Sequence, residues 1–229
     1  IERCLEDKGD FKDILDESQA SVLKIADRQS GSSFKPLSEL INLNIDQLEE
    51  LQGKEGGLAG LSTGYPRLDR ITSGLQRSDL IILAARPSMG KTAFALNIAR
   101  NVAFQYRKPV AVFSLEMSKE QLSMRLLTSE ARVDANRLRS GVFSPEDWQN
   151  FTDAAGVLNE IPIFIDDTPS ISVMDLRAKT RKLFQLNKDI GLVVIDYLQL
   201  MKSSVHSDRR DLEIAEISRG LKSLAKELK

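Results

Sequence analysis

The sequence predicts an α/β fold, a mainly parallel sheet flanked by helices. Three observations carry this. Residues 80–103, LIILAARPSMGKTAFALNIARNVA, read as a short β-branched apolar run, a turn and then helical spacing, so the order is strand, loop, helix. Further short apolar runs at 110–114, 161–165 and 192–195 are each followed by helix-forming sequence. All three runs lead into carboxylates: Glu116 lies two residues past the first, and Asp166 and Asp196 directly follow the other two.

Taken from the start, residues 1–9 read as the end of a preceding N-terminal domain, and the opening residue Ile1 predicts a piece of a longer protein. Asp10 is placed to cap a helix over 10–29 that carries Phe11, Ile14, Leu15, Val22 and Ile25 on one side. Gly31, Ser32, Ser33 and Pro36 follow, so 10–36 reads as a linker helix and linker. A lone helix of this length is marginal in water, so its stripe needs a surface, either this core or a neighbouring subunit; the flanking linker favours the neighbour. From residue 37 to 229 the chain reads as one motor domain, incomplete at its C-terminal end. A second amphipathic helix spans 37–51, and Gly53, Gly56, Gly57 and Gly60 make a flexible loop. In LSTGYPRLDRITSGLQ, Thr63 and Gly64 end that loop, 65–71 forms a short helix, and Gly74-Leu75-Gln76 turns the chain into the strand at 80–83.

Residues 85–92, ARPSMGKT, form the turn between that strand and a helix running through Phe104. Such a turn presents backbone N–H groups at a helix N-terminus, where the dipole favours an anion. The expected nucleotide-binding set is Ala85, Arg86, Pro87, Ser88, Met89, Gly90, Lys91 and Thr92. Gly90 supplies backbone freedom, Lys91 reaches the β- and γ-phosphates, and the Thr92 hydroxyl is placed for Mg²⁺. Ala85 departs from the glycine of the strict pattern, which adds only a methyl group where φ is negative. The plainer alternative is a surface loop with an incidental Gly-Lys-Thr.

After Pro109, Glu116 follows the 110–114 strand, where open α/β sheets bind ligands. It is either a general base for an attacking water or a charge at the start of the next helix; its residues alone leave both open. Helices are expected over 118–131 (Leu122, Leu126 and Leu127 inward), 134–139, and 145–158 with Ser144 as N-cap. Trp148 is expected in the core, and Arg132, Arg137 and Arg139 on a solvated face. The 161–165 strand closes in Asp166-Asp167-Thr168-Pro169. A helix over 172–186 then turns Leu176, Leu183 and Leu186 inward. Four apolar residues before Asp196 make the pattern of a Walker B strand, whose acid orients Mg²⁺. The polar stretch 202–210, with Lys202, Arg209 and Arg210, reads as a loop gripping a nucleic-acid backbone through phosphate, against the alternative of a solvated loop; His206 is expected at the surface. The last helix, 211–229, carries Leu212, Ile214, Ile217, Leu221 and Leu224.

The 229 residues, 41% hydrophobic, suffice for one sizeable α/β core. One cysteine, Cys4, excludes an internal disulfide framework or multi-cysteine zinc site, and fits a reducing, cytoplasmic setting. No apolar run approaches the roughly 20 residues of a membrane span. The net charge of −1 argues against a broad basic face for duplex DNA, so any nucleic-acid contact is local.

ARPSMGKT, SLEMS, VVIDYLQLM and EISRGLKSLAKEL, preceded by LSTGYPRLD, together resemble the bacterial replicative DNA helicases of the DnaB type, from about residue 61 to 229. That resemblance implies a RecA-like P-loop ATPase core that uses ATP and Mg²⁺, assembles as a homo-hexameric ring and moves 5′ to 3′ on single-stranded DNA, with primase and a helicase loader as candidate partners. It implies Lys91 and Thr92 on phosphate and Mg²⁺, Glu116 as catalytic base, Asp196 as Walker B acid, the 202–210 loop facing the channel, and the 10–29 helix docked on the adjacent subunit. It places the arginine finger and glutamine sensor beyond residue 229, so the piece alone is expected to hydrolyse nucleotide poorly. Rival classes are a RecA-like recombinase, a circadian-clock-type ATPase, and a non-catalytic oligomerisation or loader-binding module.

Overall fold

The computed structural model describes residues 34–52, 58–203 and 209–228. The expectations for 1–9, for the 10–29 helix, for Gly53, Gly56 and Gly57, and for His206 lie outside these residues. The chain divides into two compact units, 1–57 and 58–229. Of the first, the described part is helix α1, Leu37–Gln52, in which Leu37, Leu40, Ile41, Ile45 and Leu48 are exposed.

The second unit opens on a bridge between Leu61 and Leu75 around the short helix α2, Pro66–Thr72. Helix α3, Lys91–Tyr106, begins at Gly90, whose φ of +84° is a left-handed conformation glycine adopts without cost. There follow β1 (Val110–Ser114), α4 (Lys119–Ala131), α5 (Ala135–Ser140), α6 (Pro145–Asn159), β2 (Ile163–Asp166), α7 (Val173–Asn187), β3 (Leu192–Asp196), a 3₁₀ turn (Leu198–Leu200) and α8 (Arg210–Leu228). The sheet has the order β2-β1-β3, with both pairings parallel. Central β1 is buried along its whole length, as a strand covered on both faces must be. One core cluster sets Leu96, Ala99, Val102 and Ala103 of α3 and Leu122 and Leu126 of α4 against Val110 and Val112. On the opposite face, Ala111 and Phe113 meet Leu176 of α7 and Ile217, Leu221 and Leu224 of α8.

Four expectations need correction. Residues 80–83 form no strand: no described segment pairs with them, and Ile81, Ile82 and Leu83 are 57%, 65% and 42% exposed. An apolar run becomes a strand only where a ladder partner satisfies its backbone, and here only Leu80 packs against the core. Trp148 is 67% exposed, because α6 turns Phe151 and Ala154 inward instead. Leu186 and Leu212 are also exposed, each near a helix end beyond the packed stripe.

Candidate functional site

Parallel strands place their C-terminal ends on one edge. Here that edge carries Asp196 at the end of β3, Asp166 at the end of β2 and, just past β1, Glu116. The register pairs Ser114 with Asp196, and the Leu115 N–H donates to the Asp196 carbonyl at 2.7 Å. Ser114 then closes a tight turn: its hydroxyl donates to the Met117 carbonyl (2.7 Å) and accepts from the Met117 N–H (3.1 Å). Glu116 sits exposed in that turn, directly beyond the position paired with Asp196. The helix-start charge is supplied by Glu120, in the first turn of α4. Ser118 caps α4 in a capping box completed by Gln121, so Glu116 is not needed as a cap.

The turn 85–90 is exposed throughout and leads into α3. The Met89 N–H donates to the Arg86 carbonyl at 3.3 Å, and Ser88 holds a φ of +63°. Ala85 is not among the positive-φ residues, so its methyl group is compatible with the turn. The first two helical residues converge on Asp196. Lys91 Nζ lies 2.9 Å from Oδ1, and the Thr92 hydroxyl donates to Oδ2 at 2.5 Å. Asp196 is buried, with both oxygens engaged by the loop that precedes it by about a hundred residues. Lys91 Nζ also stands 4.4 Å from the centre of the Tyr197 ring, within cation–π range. Tyr197 was missed in the sequence; its position next to Asp196 was the available signal.

Around this edge, burial works to raise the Asp166 carboxyl, but hydrogen bonds from Lys179 and from the Thr168 backbone outweigh it and hold Asp166 below the usual carboxylate range. The Lys119 N–H donates to Asp167 at 3.1 Å, tying the start of α4 to the end of β2. No group of three or more His, Cys, Asp or Glu among the described residues can hold a metal ion unaided. The Thr92 hydroxyl and the Asp196 carboxylate do supply the hard oxygens Mg²⁺ prefers, and Mg²⁺ ordinarily takes its remaining ligands from water and substrate phosphate.

The basic residues after β3 are more scattered. Lys202 is exposed, its N–H donating to the Ile171 carbonyl at 3.1 Å. Arg209 pairs with Asp211 at 2.7 Å, and Arg210 pairs with Glu213 and donates to the Gln199 carbonyl. Through Gln199, Arg210 ties the start of α8 to the 3₁₀ turn that follows Asp196.

A phosphate-type loop opening a helix beside strand-end carboxylates on a parallel sheet defines the P-loop class of α/β proteins. Within that class, residues 60–229 match the family described as DnaB-like helicase C terminal domain, and the chain belongs to that family. It is 50% identical over 216 residues to the replicative DNA helicase DnaB of Geobacillus stearothermophilus, covering 94% of this chain and 47% of that protein. It is 47% identical over 222 residues to the replicative DNA helicase DnaC of Bacillus subtilis strain 168, covering 96% and 49%. The chain thus spans about half the length of these curated relatives. Among solved structures, one described as an ATPase domain aligns with a TM-score of 0.78 at 35% identity, over 86% of this chain and 69% of that one. A DnaB-like replicative helicase, described with its interactions with primase, aligns with a TM-score of 0.74 at 33% identity, over 93% and 51%. These neighbours carry the RecA-like ATPase fold, as the sequence predicts. No described helix is long and apolar enough to cross a membrane.

Proposed function

We propose that this chain is the motor portion of an ATP-dependent replicative DNA helicase that assembles as a homo-hexameric ring and translocates 5′ to 3′ on single-stranded DNA. The convergence of Lys91 and Thr92 on buried Asp196, beside Glu116 on one sheet edge, is the observation that carries it. Residues 85–92 cradle the nucleotide phosphates. Thr92 and Asp196 would hold Mg²⁺, which when bound would neutralise charge on the phosphates. Lys91, which here pairs with Asp196, would serve phosphate in the nucleotide-bound chain. Glu116 accepts the proton of the attacking water. Lys202, Arg209 and Arg210 contact DNA phosphate, the two arginines giving up Asp211 and Glu213 to do so. Primase and a helicase loader are the further partners this reading names; the primase in the description of the aligned helicase structure supports the first.

The test is DNA-stimulated ATP hydrolysis by the full-length parent protein, wild type and Glu116→Gln, with Mg-nucleotide binding measured alongside. Retained binding with hydrolysis lowered by about 10²- to 10⁴-fold is the expected result. Unchanged hydrolysis removes Glu116 from the mechanism. Nucleotide binding that survives Lys91→Ala removes the nucleotide site itself.

A further inference from the structure

The segment 61–75 has no part in the chemistry above, yet it is densely bonded, both to itself and to the helix that follows the phosphate loop. Leu61 and Leu75 exchange backbone hydrogen bonds of 2.9 and 2.7 Å, closing the segment on itself. At its centre Asp69, 5% exposed, accepts from the Ser62 hydroxyl (2.6 Å), the Thr63 hydroxyl (2.7 Å) and the Thr63 N–H (2.9 Å).

The same segment is bonded along α3. The Tyr65 ring lies 4.9 Å from that of Phe94, one turn into the helix. Farther along, Asn101 donates to the Thr63 carbonyl at 2.9 Å, and the Ser62 N–H donates to the Tyr106 hydroxyl at 2.8 Å. Gly64 makes the approach possible. Its φ is +79°, and a Cβ there would stand 2.1 Å from the Asn101 side-chain nitrogen.

These bonds form a non-covalent ring. From Thr63 the chain passes through the Leu61–Leu75 bridge, residues 80–85, the phosphate loop and α3 to Asn101, which returns to Thr63. Residues 80–85 pair with no described strand, so among the described residues the incoming side of the loop is held by this ring on one side and by Lys222 of α8, bonded to the Ser78 carbonyl (2.9 Å) and Asp79 (3.1 Å), on the other.

We propose that Ser62, Thr63 and Asp69 are positioning residues for nucleotide binding, a latch that fastens the chain entering the phosphate loop onto α3 and holds Lys91 and Thr92 in their binding geometry. The latch touches no nucleotide. Opening it frees a long loop that nucleotide must then order, which lowers affinity. The proposal rests on the reading of 85–92 as the nucleotide site.

The experiment is titration of the whole chain with Mg-ATP, far below the unfolding temperature, beside thermal unfolding of each variant. Asn101→Ala cuts the latch from the helix side, and Gly64→Ala displaces Asn101 from the other. Both are expected to weaken Mg-ATP binding about five-fold, the effect of losing one net hydrogen bond. Thr63→Ser, which keeps the hydroxyl on Asp69, is expected to bind as wild type. Ser144→Ala, at the remote cap of α6, lowers the unfolding midpoint without changing affinity. If Asn101→Ala and Gly64→Ala behave like Ser144→Ala, losing stability alone, the latch is structural and the proposal is overturned. If Lys91→Ala binds Mg-ATP as well as wild type does, the nucleotide-site reading fails, and the latch proposal falls with it.

Discussion

Asp196 accepts from Lys91 on one oxygen and Thr92 on the other, which leaves lone pairs on both oxygens that could face a metal ion or its water. Asp196→Asn keeps the size and one oxygen but loses the charge that holds Lys91. In Mg²⁺ titrations of nucleotide binding, wild type is expected to tighten with the metal and Asp196→Asn to lose most of that tightening. At Asp69, burial works to raise the carboxyl, and hydrogen bonds from the Ser62 and Thr63 side chains and from the Thr63 and Gly64 backbone outweigh it and hold it below the usual range. A carboxyl lowered by folding stabilises the fold fully above its unfolded value of about 3.9, and that contribution is lost as the pH falls toward its folded value. The stability difference between wild type and Asp69→Asn in urea is therefore expected to be largest near neutral pH and to shrink in acid; a gap that widened in acid would reverse the assignment. That Lys91, Thr92 and Asp196 come together was legible in the sequence, because a Gly-Lys-Thr opening a helix and an acid ending an apolar run are local patterns, even though the strand expected at 80–83 did not form. Tyr197 was not, since its partner Lys91 lies far away along the chain. Nor was the Asp69 network, although Ser62 and Thr63 are only seven and six residues from Asp69, because spacing alone reads that stretch as a packed entry segment.

Helices were the legible elements, and their caps explain why. Ser118 and Ser144 each complete a capping box, and Ser172 accepts from the Asp175 N–H, so local sequence carries the start signal. Ser144→Ala is expected to cost about 1 kcal/mol in chemical denaturation. Strands answer to partners instead. LIIL at 80–83 and VAVF at 110–113 look alike in sequence, yet one lies unpaired and the other at the centre of the sheet. Packing separates helix faces in the same way: Leu176 is wholly buried while Leu186 on the same helix is exposed. Leu176→Ala is expected to cost about 2–5 kcal/mol, read from the denaturation midpoint.

At the scale of the molecule, a net charge of −1 means that any DNA contact is made through local clusters. If Lys202, Arg209 and Arg210 grip phosphate, neutralising all three should flatten the dependence of single-stranded DNA affinity on salt by about 0.7 in log–log slope per contact; an unchanged slope places the DNA elsewhere. The fold class was legible because a parallel sheet needs helical crossovers, whereas the position of each strand in the sheet was not, since chain order and sheet order differ. That difference bears on biosynthesis. Val110 pairs with Ile163 on one side and Leu192 on the other, so the central strand is made first and has neither neighbour until much later. During translation its apolar run has no ladder to join, and the sheet closes only when Leu192–Asp196 has emerged. Nascent chains arrested before residue 163 should therefore be cleaved readily around β1, and chains long enough to expose β3 should resist.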